Sequence, residues 1–235
     1  MQNSYKNKLF SVLGDSVSTL EGYSEPQYAE YYTNQRKLEA DIFTPEHTWW
    51  GQVIDALDGE LLVNNSFYGS MVAKHRDCKI PSYACSSERT SSLSKNGKSP
   101  NVIMVLMGIN DWGCGASLEP NNETEKDDEA IFSVAYKSML KKLKANYPSA
   151  ELWCFTLPVS DYKKAKGESF PYTYAGKHIE EYCKIITACA KEYSCRVIDL
   201  YTLAPQFEAM QDGFHPNANG MTAIAQATLR ALEKR

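Results

Sequence analysis

The 235-residue chain is predicted to fold as one three-layer α/β/α domain around a parallel sheet of about five strands. Three observations carry this expectation. Short apolar runs alternate with longer amphipathic ones along the whole chain, the pattern of βαβ units with right-handed crossovers. The run Asn101-Val102-Ile103-Met104-Val105-Leu106-Met107 is apolar almost throughout, as expected of a central strand covered on both faces. No internal repeat and no linker divides the sequence, so residues 1–235 read as a single unit.

The first strand spans about residues 8–13 and ends abruptly at Gly14-Asp15-Ser16. Asp15 or Ser16 reads equally as the cap of a following helix. A tyrosine-rich insertion follows, with Tyr23, Tyr28, Tyr31 and Tyr32 among turn formers; it is a lid, a sugar-stacking platform or a packed loop. Thr44 and Pro45 predict a helix start, as N-cap and first helical residue, and Asp58-Gly59 its end. Trp49, Val53, Ile54 and Leu57 share its inward face. Leu61-Leu62-Val63 is a short second strand running into a polar loop over residues 64–70.

Residues 76–100 are rich in Ser, Lys and Asn and read as an irregular surface connection with one short helical piece. The third strand, 101–107, gives way to Gly108-Ile109-Asn110-Asp111. An acidic loop precedes a helix predicted over 126–146, its lysines on the solvent face and Pro148 beyond its end. The fourth strand, 151–157, stops at Pro158. A helix carrying Ile179, Tyr182, Cys183 and Ile186 follows, then a fifth strand at 196–200. The chain closes with Asp212-Gly213-Phe214-His215-Pro216 and a helix from about Ala218.

Bulk properties exclude several classes. The net charge is -4 and no block of Lys and Arg occurs, which argues against nucleic acid as partner. No run of about 18 apolar residues is present, so no membrane span is expected. The polar first eight residues do not form a secretory leader; the expected compartment is the cytoplasm, with secretion open if a leader is trimmed. Seven cysteines without CxxC spacing argue against a zinc site or disulfide framework, although Cys78 and Cys85 flank a short loop and are the one candidate pair. His47, His75 and His178 lack a ligand pattern, and no metal or cofactor is expected.

In a parallel sheet the carboxyl ends of all strands lie on one edge. Ser16, Gly69, Asn110, Asp212 and His215 each follow a strand and so should meet there. These types suit acyl transfer. A serine needs an adjacent base, which His215 supplies, and Asp212 can hold the imidazole's tautomer. The Ser16 and Gly69 backbone N–H groups and the Asn110 amide are candidate donors to an oxyanion.

Gly14-Asp15-Ser16, residues 64–69, Gly108-Ile109-Asn110-Asp111 and Asp212-Gly213-Phe214-His215-Pro216 resemble, in order and spacing, the four blocks of the SGNH (GDSL-type) hydrolases. The resemblance implies a flavodoxin-like fold with strand order 2-1-3-4-5 and ester hydrolysis without metal or cofactor. By matching position it implies Ser16 as nucleophile, His215 as base, Asp212 as its partner, and Gly69 and Asn110 as oxyanion donors. Val17 stands where the family motif often has Leu, which leaves the subfamily open. Asp15, Asp111, Tyr23 and Trp50 are further pocket candidates. Asp111 reads as a hydrogen-bond acceptor behind the site or as a plain turn residue. Trp49 and Trp50 read as core, with one of them a possible pocket wall. The expected function is hydrolysis of small acyl esters, such as those of an acetylated carbohydrate. An acyltransferase, a thioesterase and a silent carbohydrate-binding module are the alternatives. No G-x-S-x-G elbow is present, which disfavours an α/β-hydrolase.

Overall fold

The computed structural model describes residues 4–74, 82–158, 173–174, 177–203 and 214–233. Five strands, β1 (Leu9–Gly14), β2 (Glu60–Ser66), β3 (Val102–Leu106), β4 (Glu151–Phe155) and β5 (Arg196–Ile198), form one sheet in the order β2-β1-β3-β4-β5. Every pairing in it is parallel, as the alternating pattern predicts. Gly14 of β1 pairs with Ser66 of β2 on one side and Leu106 of β3 on the other. The ends of three strands are therefore level, and the loops leaving them start side by side.

The described helices are α1 (Asn34–Ala40), α2 (Trp49–Ala56), α3 (Ser87–Ser91), α4 (Ile109–Gly113), α5 (Phe132–Asn146), α6 (Ile179–Glu192), α7 (Leu200–Leu203) and α8 (Ala218–Glu233). Alternate residues of the strands enter opposite layers, because successive side chains of a strand point to opposite faces. Phe10, Val12, Met104 and Trp153 pack with Trp49 and Val53 of α2 and Met221 and Ile224 of α8. Leu13, Ile103, Val105 and Cys154 pack with Met139 and Leu143 of α5 and Ile186 of α6. A separate two-stranded ribbon pairs Thr173–Tyr174 with Lys177–His178.

Four expectations need correction. Thr44 and Pro45 open only a 3-10 turn, Pro45–His47; α2 begins at Trp49, where the Thr48 hydroxyl accepts the Gly51 N–H at 3.0 Å. The second strand runs on through Asn64, Asn65 and Ser66, which are buried. Polar side chains are tolerated there because they bond to one another and to neighbouring loops (Asn64 Nδ2 to Ser18 O, 2.9 Å; Ser66 Oγ to Asn64 Oδ1, 2.5 Å). The helix predicted from 126 starts at Phe132 instead, because the carbonyls of Ser117 and Leu118 accept the Phe132 and Ser133 N–H groups. Finally, residues 82–93 are not a surface connection: Ala84, Cys85 and Leu93 are fully buried, and the Tyr147 hydroxyl accepts the Leu93 N–H at 2.8 Å, whereas residues 94–99 are exposed and α3 is the short helical piece, both as expected.

Cys85 is a free thiol, and burial pushes it up to about 12, so it is inert at neutral pH. Cys78 and His75 lie outside the described residues. His178, which lacks a ligand pattern in the sequence, is the N-cap of α6: its Nδ1 accepts the Glu180 N–H, and Glu181 answers with a bond to the His178 N–H.

Candidate active site

The site begins where β1 stops. Gly14 has no room for a side chain: an added Cβ would lie 2.6 Å from both Ser18 Cβ and Ser66 Oγ. This close approach lets the chain fold at once into a 3-10 turn, Ser16–Ser18. Asp15 caps that turn, its Oδ1 accepting the Val17 N–H at 3.0 Å. Asp15 is therefore the cap and Ser16 is the first residue of the turn, 2 % exposed. The turn is fixed from below. Ser18 O accepts from Trp50 Nε1 at 3.0 Å and from Asn64 Nδ2 at 2.9 Å, and Trp49 Nε1 donates to Ser18 Oγ at 3.1 Å. Trp50 is 1 % exposed and acts as the floor of the turn; Tyr23, at 44 %, lies over it with ring centres 6.1 Å apart.

The second wall follows β2. Phe67 O accepts the Ser70 N–H at 3.0 Å, closing a turn with Gly69 at φ 77°. That left-handed position suits glycine. Asn110 follows β3 at the start of α4, and its Nδ2 donates to Ser70 O at 2.9 Å. Gly69 and Asn110 are thereby held beside each other. Asp111, fully buried, accepts the Val72 N–H at 2.9 Å and the Ala73 N–H at 2.8 Å. It ties α4 to the strand-2 loop and is a structural acceptor. Burial pushes both Asp15 and Asp111 up to about 7, against the pull of the backbone N–H groups they accept.

His215 meets this edge through the tyrosine insertion. Its imidazole stacks on the Tyr31 ring, with centres 3.4 Å apart and planes within 8°. Tyr68 stands edge-on to it at 6.3 Å, and the Tyr32 hydroxyl donates to Pro216 O at 2.7 Å. The Tyr31 N–H in turn bonds Thr19 Oγ1 at 2.9 Å, and that hydroxyl donates to Ser16 O at 2.9 Å. Two bonds and one ring stack thus link Ser16 to His215. Asp212 lies outside the described residues, and so does Gly213.

Arg89 was missed by sequence reasoning. It sits in α3, 1 % exposed, and all five guanidinium N–H groups are engaged. Nε donates to Asn65 Oδ1. Nη1 donates to Ser70 Oγ at 2.7 Å and Ser82 Oγ at 2.9 Å. Nη2 donates to Gly14 O at 3.0 Å and Asn65 O at 2.8 Å. One side chain therefore joins the ends of β1 and β2 to the residue after Gly69. No local pattern could have found it, since its partners are carbonyls and hydroxyls scattered over four segments.

The sequence profile of the GDSL-like lipase/acylhydrolase family matches residues 8–232. The chain belongs to this family. The protein is accordingly an ester hydrolase. Solved structures agree on the fold. A candidate GDSL-like lipase from Bacteroides ovatus is 23% identical with a TM-score of 0.74, covering 98% of this chain and 100% of the other. One from Bacteroides uniformis is 26% identical with a TM-score of 0.73, covering 97% of each. A carbohydrate esterase family 2 enzyme with its carbohydrate-binding domain, from Corynascus thermopiles, is 16% identical with a TM-score of 0.60; the match covers 97% of this chain and 68% of that one. No curated protein sequence matches the chain. Among the described residues no helix of this family member is long and apolar enough to cross a membrane.

Proposed function

We propose that the protein hydrolyses short acyl esters of a polar alcohol, an acetylated carbohydrate being the substrate class, through an acyl-enzyme on Ser16. The convergence of Ser16, Gly69, Asn110 and His215 on one sheet edge is the observation that supports this reading. His215 takes the proton of Ser16 as Oγ bonds to the ester carbonyl carbon. The oxyanion that forms is met by the Ser16 and Gly69 N–H groups and the Asn110 amide. His215 then gives the proton to the departing alcohol as the ester C–O bond breaks. Water, deprotonated by the same imidazole, attacks the acyl-enzyme and releases the acid and the serine. Asp212 is the proposed partner that fixes the imidazole's tautomer.

The choice of a carbohydrate ester draws on the rim. Tyr23 and Tyr68, at 44% and 38%, are among the few large apolar side chains left exposed, and flat phenol rings suit sugar faces better than long acyl chains. The Corynascus protein of the same fold is a carbohydrate esterase.

The test is S16A. Turnover of 4-nitrophenyl acetate should fall by roughly a thousandfold or more, with the circular dichroism spectrum unchanged. Parent-like turnover in a folded S16A protein would refute the assignment.

A further inference from the structure

The tyrosine that stacks on His215 has a second face, and a cation covers it. The guanidinium carbon of Arg36 lies 4.3 Å from the Tyr31 ring centre and 5.5 Å from that of Tyr68. His215 already fills one face of Tyr31 at 3.4 Å, so the guanidinium occupies the opposite one. Arg36 is exposed, and Tyr68, directly before Gly69, is half-exposed. Its position is fixed by more than its own rotamer. The Tyr68 N–H bonds Ala29 O at 2.8 Å, so both rings beneath the guanidinium belong to segments tied to each other.

The guanidinium makes no hydrogen bond or ion pair with any described residue. Of the carboxylates nearby in sequence, Glu21 pairs with Lys37 at 3.0 Å, Glu30 accepts the Gly22 and Ser24 N–H groups, and Glu39 accepts from Gln35. An exposed arginine seated on two rings, its donors engaged by no described residue and one ring away from the base of an esterase site, is built to receive a planar anion. The chain is acidic overall, at -4.

We propose that Arg36 is an anion-recognising subsite at the rim of the active site, and that the natural ester carries a carboxylate on its alcohol part, as an acetylated uronic acid does. The proposal rests on the ester-hydrolase reading above and adds the substrate's charge to it. The carboxylate would pair with the guanidinium while the acyl carbonyl lies between Ser16 and Asn110, the sugar ring spanning Tyr68.

The experiment compares acetate release from glucuronate and glucose acetylated at the same hydroxyl, with acetylated glucose 6-sulfate as a third arm. The kcat/KM ratio of acidic to neutral ester is read within each protein, so a general loss of activity cancels. The natural protein should favour the glucuronate ester by roughly tenfold at low salt, less at high salt. In R36Q the ratio should fall to about one, and in R36K to an intermediate value, because an ammonium keeps the charge without the fork. A sulfate ester preferred over the glucuronate ester would overturn the carboxylate assignment. A ratio near one in the natural protein, or one unchanged in R36Q, would overturn the subsite. Turnover of 4-nitrophenyl acetate by the natural protein reads the esterase proposal separately. Should that fail, calorimetric binding of free glucuronate against glucose, in the natural protein and R36K, still decides whether Arg36 holds a carboxylate: equal binding of the two sugars refutes it.

Discussion

A single buried residue, Arg89, holds more of the site together than any residue visible in the motifs. It bonds Gly14 O, directly before Asp15 and Ser16, and Ser70 Oγ, whose own backbone carbonyl orients Asn110. Burial lowers its affinity for a proton to about 10, yet it remains charged at neutral pH, with neutral acceptors around it. R89M would leave those acceptors without donors. A cost of about 3–5 kcal/mol in urea unfolding is expected, since each orphaned buried acceptor costs about 1–3 kcal/mol and some will find water. R89K tests positioning rather than stability alone: one ammonium can hold only part of this set. We expect kcat to fall by roughly ten- to a hundredfold with KM little changed, because a slight displacement of the proposed oxyanion donors, Gly69 and Asn110, would affect the transition state more than the bound ester. A folded R89K protein with natural kcat would show that the donors are set by other contacts.

At the level of elements, legibility followed the pattern of burial. β3 is apolar along its length and β1 is so but for the buried Ser11, and both were visible as strands because both faces are covered. The end of β2 was hidden because Asn64, Asn65 and Ser66 are polar and yet buried; their partners come from the Ser16 turn and from α3, which no periodicity reveals. The four motif blocks were visible as a set, and of their residues Ser16, Gly69, Asn110 and His215 fall on the described edge. The role of the tyrosine insertion was undecidable, since Tyr31 stacks on a histidine 184 residues away from it in sequence. Likewise Asp111 looked like a turn residue or an acceptor, and its two bonds to Val72 and Ala73 decide for the acceptor. D111N measures what that tie is worth. An amide offers one oxygen where the carboxylate offers two, and its NH2 would face a backbone N–H. The expected loss is about 1–3 kcal/mol by chemical unfolding at pH 5 and smaller at pH 8, where the buried carboxylate it replaces is itself disfavoured; stability equal to the parent at pH 5 would mean the strand-2 loop needs no support from α4.

For the whole molecule, the two buried carboxylates set a pH dependence opposite to that of most carboxylates. Asp15 and Asp111 each titrate near 7 in the folded protein, against about 3.9 in an unfolded chain. Between these values the folded state binds more protons than the unfolded one. Their contribution is therefore complete below about pH 4 and is lost as the pH rises through about 7. Glu129 works the other way. Partial burial pushes it up, but bonds from Lys142 at 2.8 Å, Lys74 at 2.5 Å and Ser138 outweigh that and lower it to about 2, so its contribution is present above about pH 4.5 and lost on acidification. Stability should accordingly peak in mildly acidic solution and decline toward pH 8 by an amount of order a few kcal/mol. Urea midpoints from pH 3 to 9 read this directly, and D111N should flatten the decline because an amide does not titrate. A parent midpoint that rises steadily from pH 5 to 8 would contradict the assignment. The proposed chemistry pulls in the opposite direction, since His215 must be neutral to take the Ser16 proton. The fold is thus expected to be most stable on the acid side of the range in which the proposed chemistry works, a consequence of burying the acid of the Gly14-Asp15-Ser16 turn beside Ser16.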